Sequence, residues 1–345
     1  MDAKARTVAL IRRQFQQLVP PTAFRLELDD GADADFVADA DGPGSPHRPA
    51  LPLICLPDVQ ERLFAEVFAD LNVEENDPPA RYAFAVLKKI NAAIEAHAAD
   101  DVEVSEDILG ALVGLMSAVA GGAGVSTDAS PVRYSFDRPD GGEDTIRISE
   151  VRTLISGFGS TGLRTWEAAL ALGEHLLAGH GPQVAGRRVL ELGAGSGFVG
   201  LLCSKLGAAS VALTDGSPEV VGRLAGNIAA NGVANVSAGV LRWGAGDEDH
   251  AVPGGVDVVL GADLTYDAVL GALLAHTLAA ALAASPRAEI VIAATVRSAE
   301  TVGAFEAALA AHGLSHTHTV ARPAPRFFYY AASPPIRIYT VAKCI

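Results

Sequence analysis

From Arg187 onward the chain alternates short apolar runs with helical stretches, and no other feature limits the possible folds as tightly. The apolar runs are VLEL (189–192), VALT (211–214), VSAGVLRW (236–243), VDVVLGAD (256–263) and EIVIAAT (289–295). Helical stretches fall between and after them, at about 198–206, 218–230, 268–284 and 298–312. Strands that are apolar on both sides, joined through helices by short connections, predict a parallel sheet covered on both faces. The tail adds SHTHTV and IRIYTV around a loop rich in Pro and aromatic residues, which predicts an antiparallel pair closing one sheet edge.

The first ~120 residues read differently, as helices. Val8, Ile11, Phe15 and Leu18 mark one face of a first helix, which reads as a packed helix rather than an organelle presequence. Val59, Leu63, Phe64, Val67, Phe68 and Leu71 recur at helical spacing behind Pro57-Asp58. A further helix spans about 81–97 with Val86, Leu87, Ile90 and Ile94 inward, and another follows an N-cap at Ser105 with Ile108, Leu112, Leu115 and Val119 inward. An acidic Gly- and Pro-rich segment near 29–50 reads as a mobile surface loop, and Gly121 to Ser130 as a second breaker. VRYSFD and TIRISEV flank Asp140-Gly141 as a hairpin.

At 345 residues the length suits two domains: a helical one over 1–130, and a hairpin plus α/β domain over 131–345. Half the residues are apolar, which excludes global disorder. Lys plus Arg number 26 against 41 Asp plus Glu, so the net charge of −15 opposes non-specific binding to a phosphate backbone. Three scattered cysteines, Cys55, Cys203 and Cys344, fit reduced thiols in the cytoplasm. No run is built to span a membrane; the longest apolar stretch, Ala268 to Ser285, reads as a buried helix. The chain is taken as a monomer with no membrane or direct nucleic-acid partner. No His/Cys cluster has ligand spacing, and the His316/His318 alternation lies on a strand, so no metal is expected.

Chemistry concentrates after the first strand. Glu191-Leu192-Gly193-Ala194-Gly195-Ser196-Gly197 forms a strand-to-helix turn whose glycines let backbone approach a ligand. Gly195-x-Gly197-x-x-Gly200, with Asp215 about 20 residues on, also fits a dinucleotide fingerprint, so the turn alone does not separate a dinucleotide from S-adenosylmethionine. Three other features do: Glu191 two residues before the first glycine, Trp243 at the end of the third strand, and Asp263-x-x-Tyr266 at the end of the fourth. Asp215 is read as an acceptor for ribose hydroxyls, since Ser217-Pro218 already caps the next helix.

These residues resemble the eukaryotic elongation factor 2 lysine methyltransferase family, a branch of the seven-strand methyltransferases. The resemblance runs through Ser149-Glu150, Ser160 to Leu170 (STGLRTWEAAL), VLELGAGSGFVGL, Asn227/Asn231-Gly232, Leu241-Arg242-Trp243, GADLTY and Thr295-Val296-Arg297-Ser298-Ala299-Glu300-Thr301. Pro78-Pro79-Ala80-Arg81-Tyr82 through Lys88-Lys89 resembles the branch's helical extension. The acidic insertion near 29–50 and Phe327 to Tyr330 have no counterpart in that pattern. The resemblance implies a Rossmann-like seven-stranded class I methyltransferase sheet, S-adenosylmethionine as cofactor and a lysine of elongation factor 2 as substrate. The cofactor contacts expected from this reading are Trp166, Glu191, Gly193, Ala194, Gly195, Asp215, Trp243 and Ala262. Asp263 and Tyr266 then sit next to the reactive methyl group, and the helical domain recognises the substrate. The alternatives are a small-molecule methyltransferase, a methyltransferase of another protein such as a chaperone, and a catalytically silent cofactor-binding adaptor.

Overall fold

A computed structural model describes residues 2–26, 51–71, 77–98, 101–122, 129–138, 140–151, 161–244, 251–321, 327–330 and 334–344. The expected acidic loop near 29–50 and most of the second breaker lie outside these residues. The chain divides into two compact units, Met1–Ser130 and Pro131–Ile345.

The first unit is helical: α1 (Ala3–Gln16), α2 (Pro57–Leu63) continued by a π-helical turn (Phe64–Phe68), α3 (Ala80–Glu95) and α4 (Glu106–Ala120). Val8, Ile11, Phe15 and Leu18 are all buried, with the Phe15 ring edge-on to Phe68 at 5.1 Å. Buried Gln60 ties the α4 entrance down: its Nε2 donates to the Glu103 carbonyl and its Oε1 accepts from the Ser105 N–H at 2.8 Å. Ser105 caps α4 as expected. The four expected inward residues do form its inner face, with Ile108 and Leu115 buried and Leu112 and Val119 half-buried. Leu109, Val113 and Met116 stand exposed on the same helix.

The second unit opens with the hairpin β1 (Ser130–Asp137) and β2 (Glu143–Glu150), followed by α5 (Glu167–Leu177). The sheet follows as β3 (Arg188–Leu192), α6 (Phe198–Lys205), β4 (Ser210–Asp215), α7 (Pro218–Asn231), β5 (Val236–Val240), β6 (Val258–Ala262), α8 (Ala268–Ala284), β7 (Glu289–Thr295), α9 (Ala299–Ala311), β8 (Leu314–Val320) and β9 (Ile336–Lys343). Its seven strands lie in the order β5-β4-β3-β6-β7-β9-β8, with β9 antiparallel to both neighbours. This is the seven-stranded sheet that the sequence predicts. The strand order reverses direction between β3 and β6, which opens a crevice at their carboxyl ends.

Leu190 and Leu192 of β3 face a core made with α8 and α9. Glu191, pointing the other way, meets α6. The hairpin is fastened to α7 by two asparagines one helical turn apart. Asn227 Oδ1 accepts from the Ser149 N–H at 3.0 Å, and Asn231 exchanges two bonds with the Arg147 backbone at 2.9 and 2.7 Å. That i,i+4 pair therefore extends a helix face into a strand-like partner for β2.

The third sheet strand is shorter than expected. β5 ends at Val240, and Trp243 lies beyond it, because the Gly244 N–H donates to Thr277 Oγ1 on α8 and draws the chain off the sheet. Phe327 and Phe328, which match nothing in the family pattern, are buried; the Phe328 ring meets Phe198 at 5.0 Å, and Glu174 accepts both backbone N–H groups. Among the described residues no helix is long and apolar enough to cross a membrane.

Candidate active site

A cavity of about 640 Å³ occupies the crevice between β3 and β6. Every site residue read from the sequence lines it: Trp166, Glu191, Gly193, Ala194, Gly195, Asp215, Trp243, Ala262, Asp263 and Tyr266. Its size lies within the range of small-molecule sites.

The glycine turn forms one wall. Gly193 and Gly195 have φ of +59° and +52°, a region that other residues rarely adopt. A Cβ on Gly193 would stand 2.5 Å from Leu264 Cδ2 and 3.1 Å from the Trp243 ring, so bare backbone is required there. Gly200 serves packing instead. A Cβ there would meet Leu213 Cδ2 at 2.2 Å and Glu191 Oε2 at 2.8 Å, where α6 crosses β3 and β4. The third glycine of the fingerprint thus reports close helix–sheet approach, whatever the ligand.

Three carboxylates behave differently. Glu191 is buried and accepts the Gly200 N–H at 2.7 Å; burial pushes its carboxyl up to about 8, so at pH 7 it is mostly protonated. Asp215 accepts from Gly195 N–H at 3.2 Å and Ser217 N–H at 3.0 Å, and burial raises its pKa. Asp263 is buried with φ of +60°, and its N–H donates to the Ala293 carbonyl on β7. Both of its oxygens accept from the Arg297 guanidinium, at 2.8 and 2.6 Å. Tyr266 is half exposed at the rim.

Six side chains that the sequence reading did not select shape this site. Arg297 leaves the end of β7 and stacks 5.6 Å from the Trp166 ring centroid; Arg164 stacks on the same ring at 4.5 Å and pairs with Glu167. Glu150, fully buried at the end of β2, accepts from the Tyr134 hydroxyl and the Thr165 N–H, and Thr165 Oγ1 meets Ser196 Oγ at 2.8 Å. Asn227 donates to the Ser196 carbonyl. The hairpin thereby fixes Trp166 over the glycine turn. The signal for Glu150 and Asn227 lay in the motif strings that carry the resemblance, but their partners are distant in sequence.

The residues suit S-adenosylmethionine. Asp215 offers an acceptor that would suit a ribose diol, Leu241 and Trp243 offer an apolar surface that would suit an adenine, and Arg164 Nε is a buried donor with no partner, which an amino-acid carboxylate would satisfy. Elsewhere, Glu306, His316 and His318 bring ligand atoms within 4.8 Å of one another, a grouping the spacing did not reveal. There Glu306 Oε1 already accepts from Arg337 at 3.0 Å and Tyr339 at 2.9 Å, so a metal cation would face the guanidinium.

A family described as lysine methyltransferase matches residues 146–309. A protein-lysine N-methyltransferase EFM3 of Chaetomium thermophilum is 41% identical over 275 residues, covering 75% of this chain and 81% of the relative. The chain belongs to the protein-lysine N-methyltransferases. The EFM3 of Saccharomyces cerevisiae is 33% identical, covering 61% of this chain and 68% of its own. The human protein-lysine N-methyltransferase EEF2KMT is 29% identical, covering 70% of this chain and 73% of its own. This lysine methyltransferase accordingly acts on protein with S-adenosylmethionine as its cofactor.

Proposed function

We propose that this methyltransferase modifies a lysine of elongation factor 2 in the cytoplasm, acting as a monomer, and that its first unit selects the substrate. One observation carries the reading. The alignment with human EEF2KMT takes in 70% of this chain, more than residues 131–345 can supply, so it extends into the helical unit. A mouse EEF1A lysine methyltransferase 3 matches at 37% identity over only 33% of the chain. A likeness that reaches into the helical unit is thus shared with the human protein named EEF2KMT. The exposed Leu109, Val113 and Met116 on α4 give that unit apolar surface for a protein partner.

Within the cavity, Trp166, Gly193, Ala194, Gly195, Asp215, Trp243 and Ala262 hold the cofactor, and Asp263 and Tyr266 serve the lysine. S-adenosylmethionine bound there supplies a methyl group on a sulfonium, which needs no protein acid to leave. The remaining demand is a neutral, aimed amine, because a lysine is protonated in water, with a pKa near ~10.4. Apolar walls disfavour its ammonium form. Asp263 accepts an N–H of the amine and turns its lone pair toward the methyl group; a carboxylate has about four acceptor positions, and Arg297 occupies two. Tyr266 walls the entrance. Glu191 contributes by holding α6 against the turn rather than by touching the ligand.

The test is transfer from tritiated S-adenosylmethionine to purified elongation factor 2, elongation factor 1A and a chaperone of the 70-kDa class, each unmethylated. Label in elongation factor 2 alone is expected. Label in one of the other proteins reassigns the substrate, and label only in low-mass acceptors from a lysate supports the small-molecule alternative.

A further inference from the structure

We infer that Arg297 is a positioning residue for methyl transfer: its guanidinium fork fixes the orientation of the Asp263 carboxylate and cancels its charge where the lysine amine enters. The inference rests on the reading of Asp263 given above and adds a second residue to it.

The geometry is that of a built pair. Both N–H···O contacts, 2.8 and 2.6 Å, join the two terminal nitrogens of one guanidinium to the two oxygens of one carboxylate. A fork of this kind fixes a plane as well as a distance, which a lysine ammonium does not do. The acid is held from its other side too. Asp263 sits in the left-handed region, with its N–H bonded to Ala293 on the adjacent strand, so its backbone leaves it little freedom. The base is braced by the Trp166 face. The Asp263 side chain is 7% exposed and that of Arg297 37%, so the acid lies deeper and its partner reaches toward the mouth.

The charge argument follows from chemistry. A lone buried carboxylate beside a lysine favours the ammonium form, which has no lone pair to donate. An Asp263–Arg297 pair is formally neutral, so the carboxylate can accept a hydrogen bond from the amine without holding its proton. The other charged groups near the pair do not substitute for Arg297. Arg164 is engaged by Glu167 at 2.9 Å, Asp215 braces the glycine turn on β4, and Glu191 is mostly protonated. Arg242 and Tyr266 line the same cavity and act equally in all the variants compared below.

The experiment measures initial rates of protein labelling between pH 6.5 and 9.5. Full-length wild type, Arg297→Gln, Arg297→Lys and Asp263→Asn are compared, with binding of S-adenosylhomocysteine measured by calorimetry. The acceptor is a desalted lysate of yeast lacking its own EFM3, so the measurement does not depend on which protein is modified. Arg297→Gln is expected to keep cofactor affinity within about threefold and lose roughly 10²-fold in turnover, the scale of a lost orienting contact. Its rate should reach half-maximum about one pH unit higher than wild type, because an unpaired Asp263 then holds the ammonium. Arg297→Lys retains charge without the fork; it should keep the wild-type pH midpoint and recover only part of the rate. Wild-type turnover and midpoint in Arg297→Gln overturn the inference, and so does wild-type turnover in Arg297→Lys should the glutamine variant not fold. A slow Asp263→Asn beside a fast Arg297→Gln removes Arg297 alone. A fast Asp263→Asn removes the reading of Asp263 itself.

Discussion

Replacing Glu191 by glutamine should convert a pH-dependent fold into one much less so. The carboxyl of Glu191 moves from an ordinary value of 4.5 to about 8 because burial penalises its charge, against the opposing hydrogen bond from Gly200. Its folded-state value lies above its unfolded one. The fold therefore holds a proton that the unfolded chain releases, and this contribution to stability is complete below about pH 4.5 and lost as pH rises through about 8. Over that window the slope is about 1.4 kcal/mol per pH unit. Between pH 5.5 and 7.5 the loss amounts to roughly 2–3 kcal/mol, or on the order of 5–10 °C in melting temperature for a domain of this size.

Other groups shift the baseline. Asp215 is raised by burial and acts in the same direction, while His175 is lowered by burial and acts in the opposite one near neutrality. The difference between wild type and Glu191→Gln isolates the one carboxyl. The glutamine keeps an oxygen for the Gly200 N–H and cannot ionise. Urea unfolding at half-unit pH steps should show the variant gaining on wild type by about 1.4 kcal/mol per unit up to pH 8. Stability differences that stay constant across pH 5.5 to 8 refute the argument and leave Glu191 ionised in the fold. A loss of S-adenosylhomocysteine affinity beyond about thirtyfold, which is ~2 kcal/mol, returns it to the cofactor contacts.

Asp215→Ala removes the acceptor for the Gly195 and Ser217 N–H groups and should weaken S-adenosylhomocysteine binding roughly ten- to hundredfold by calorimetry. Unchanged affinity with a lowered melting temperature would make it only a brace for the turn. Gly200→Ala places a methyl 2.2 Å from Leu213 Cδ2 and should destabilise by about 1–3 kcal/mol, read from the urea midpoint. A wild-type midpoint there would show that α6 can retreat from the sheet.

Elements with local signals were legible in the sequence. The spans of α7, α8 and α9 follow from their places between apolar runs, α7 also from its Ser217-Pro218 cap; in the structure Asp267 and Ser298 cap the other two. The hairpin and the antiparallel edge pair were equally legible, since turn chemistry and alternation are local. Helix α5 was not. Ala168, Leu170, Ala171, Leu172, Gly173 and Leu176 are all buried, and its polar residues, Glu167, Glu174 and His175, sit only at its two ends, so the middle offers no contrast from which to read a period. The site divides the same way. Its glycines and its Asp263-x-x-Tyr266 were visible at strand ends, whereas Arg297 lies 34 residues after its partner. What joins them is the register of β6 on β7, in which Ala262 stands opposite Ala293 and sets the two strand ends side by side. The Glu306, His316 and His318 grouping escaped notice for a like reason, because the glutamate comes from α9 and the histidines from β8.

The site's electrostatics differ from those of the chain as a whole. The net charge of −15 would favour retention of an ammonium, the form of lysine that cannot react. Around the deep end of the cavity that excess is offset locally: Glu191 carries a proton, Arg297 pairs with Asp263 and Arg164 pairs with Glu167, while Asp215 on the β4 side is held by backbone N–H groups. At about 0.15 M salt, charges farther off than ~8 Å are largely screened at the surface, so the local pairs decide what an entering amine experiences. A protein substrate with a basic surface would feel this acidic exterior mainly at low salt, while a side chain entering as proposed would meet an Asp263 already paired with Arg297. Separating the two effects requires only salt: raising ionic strength weakens substrate capture and leaves turnover at saturation unchanged.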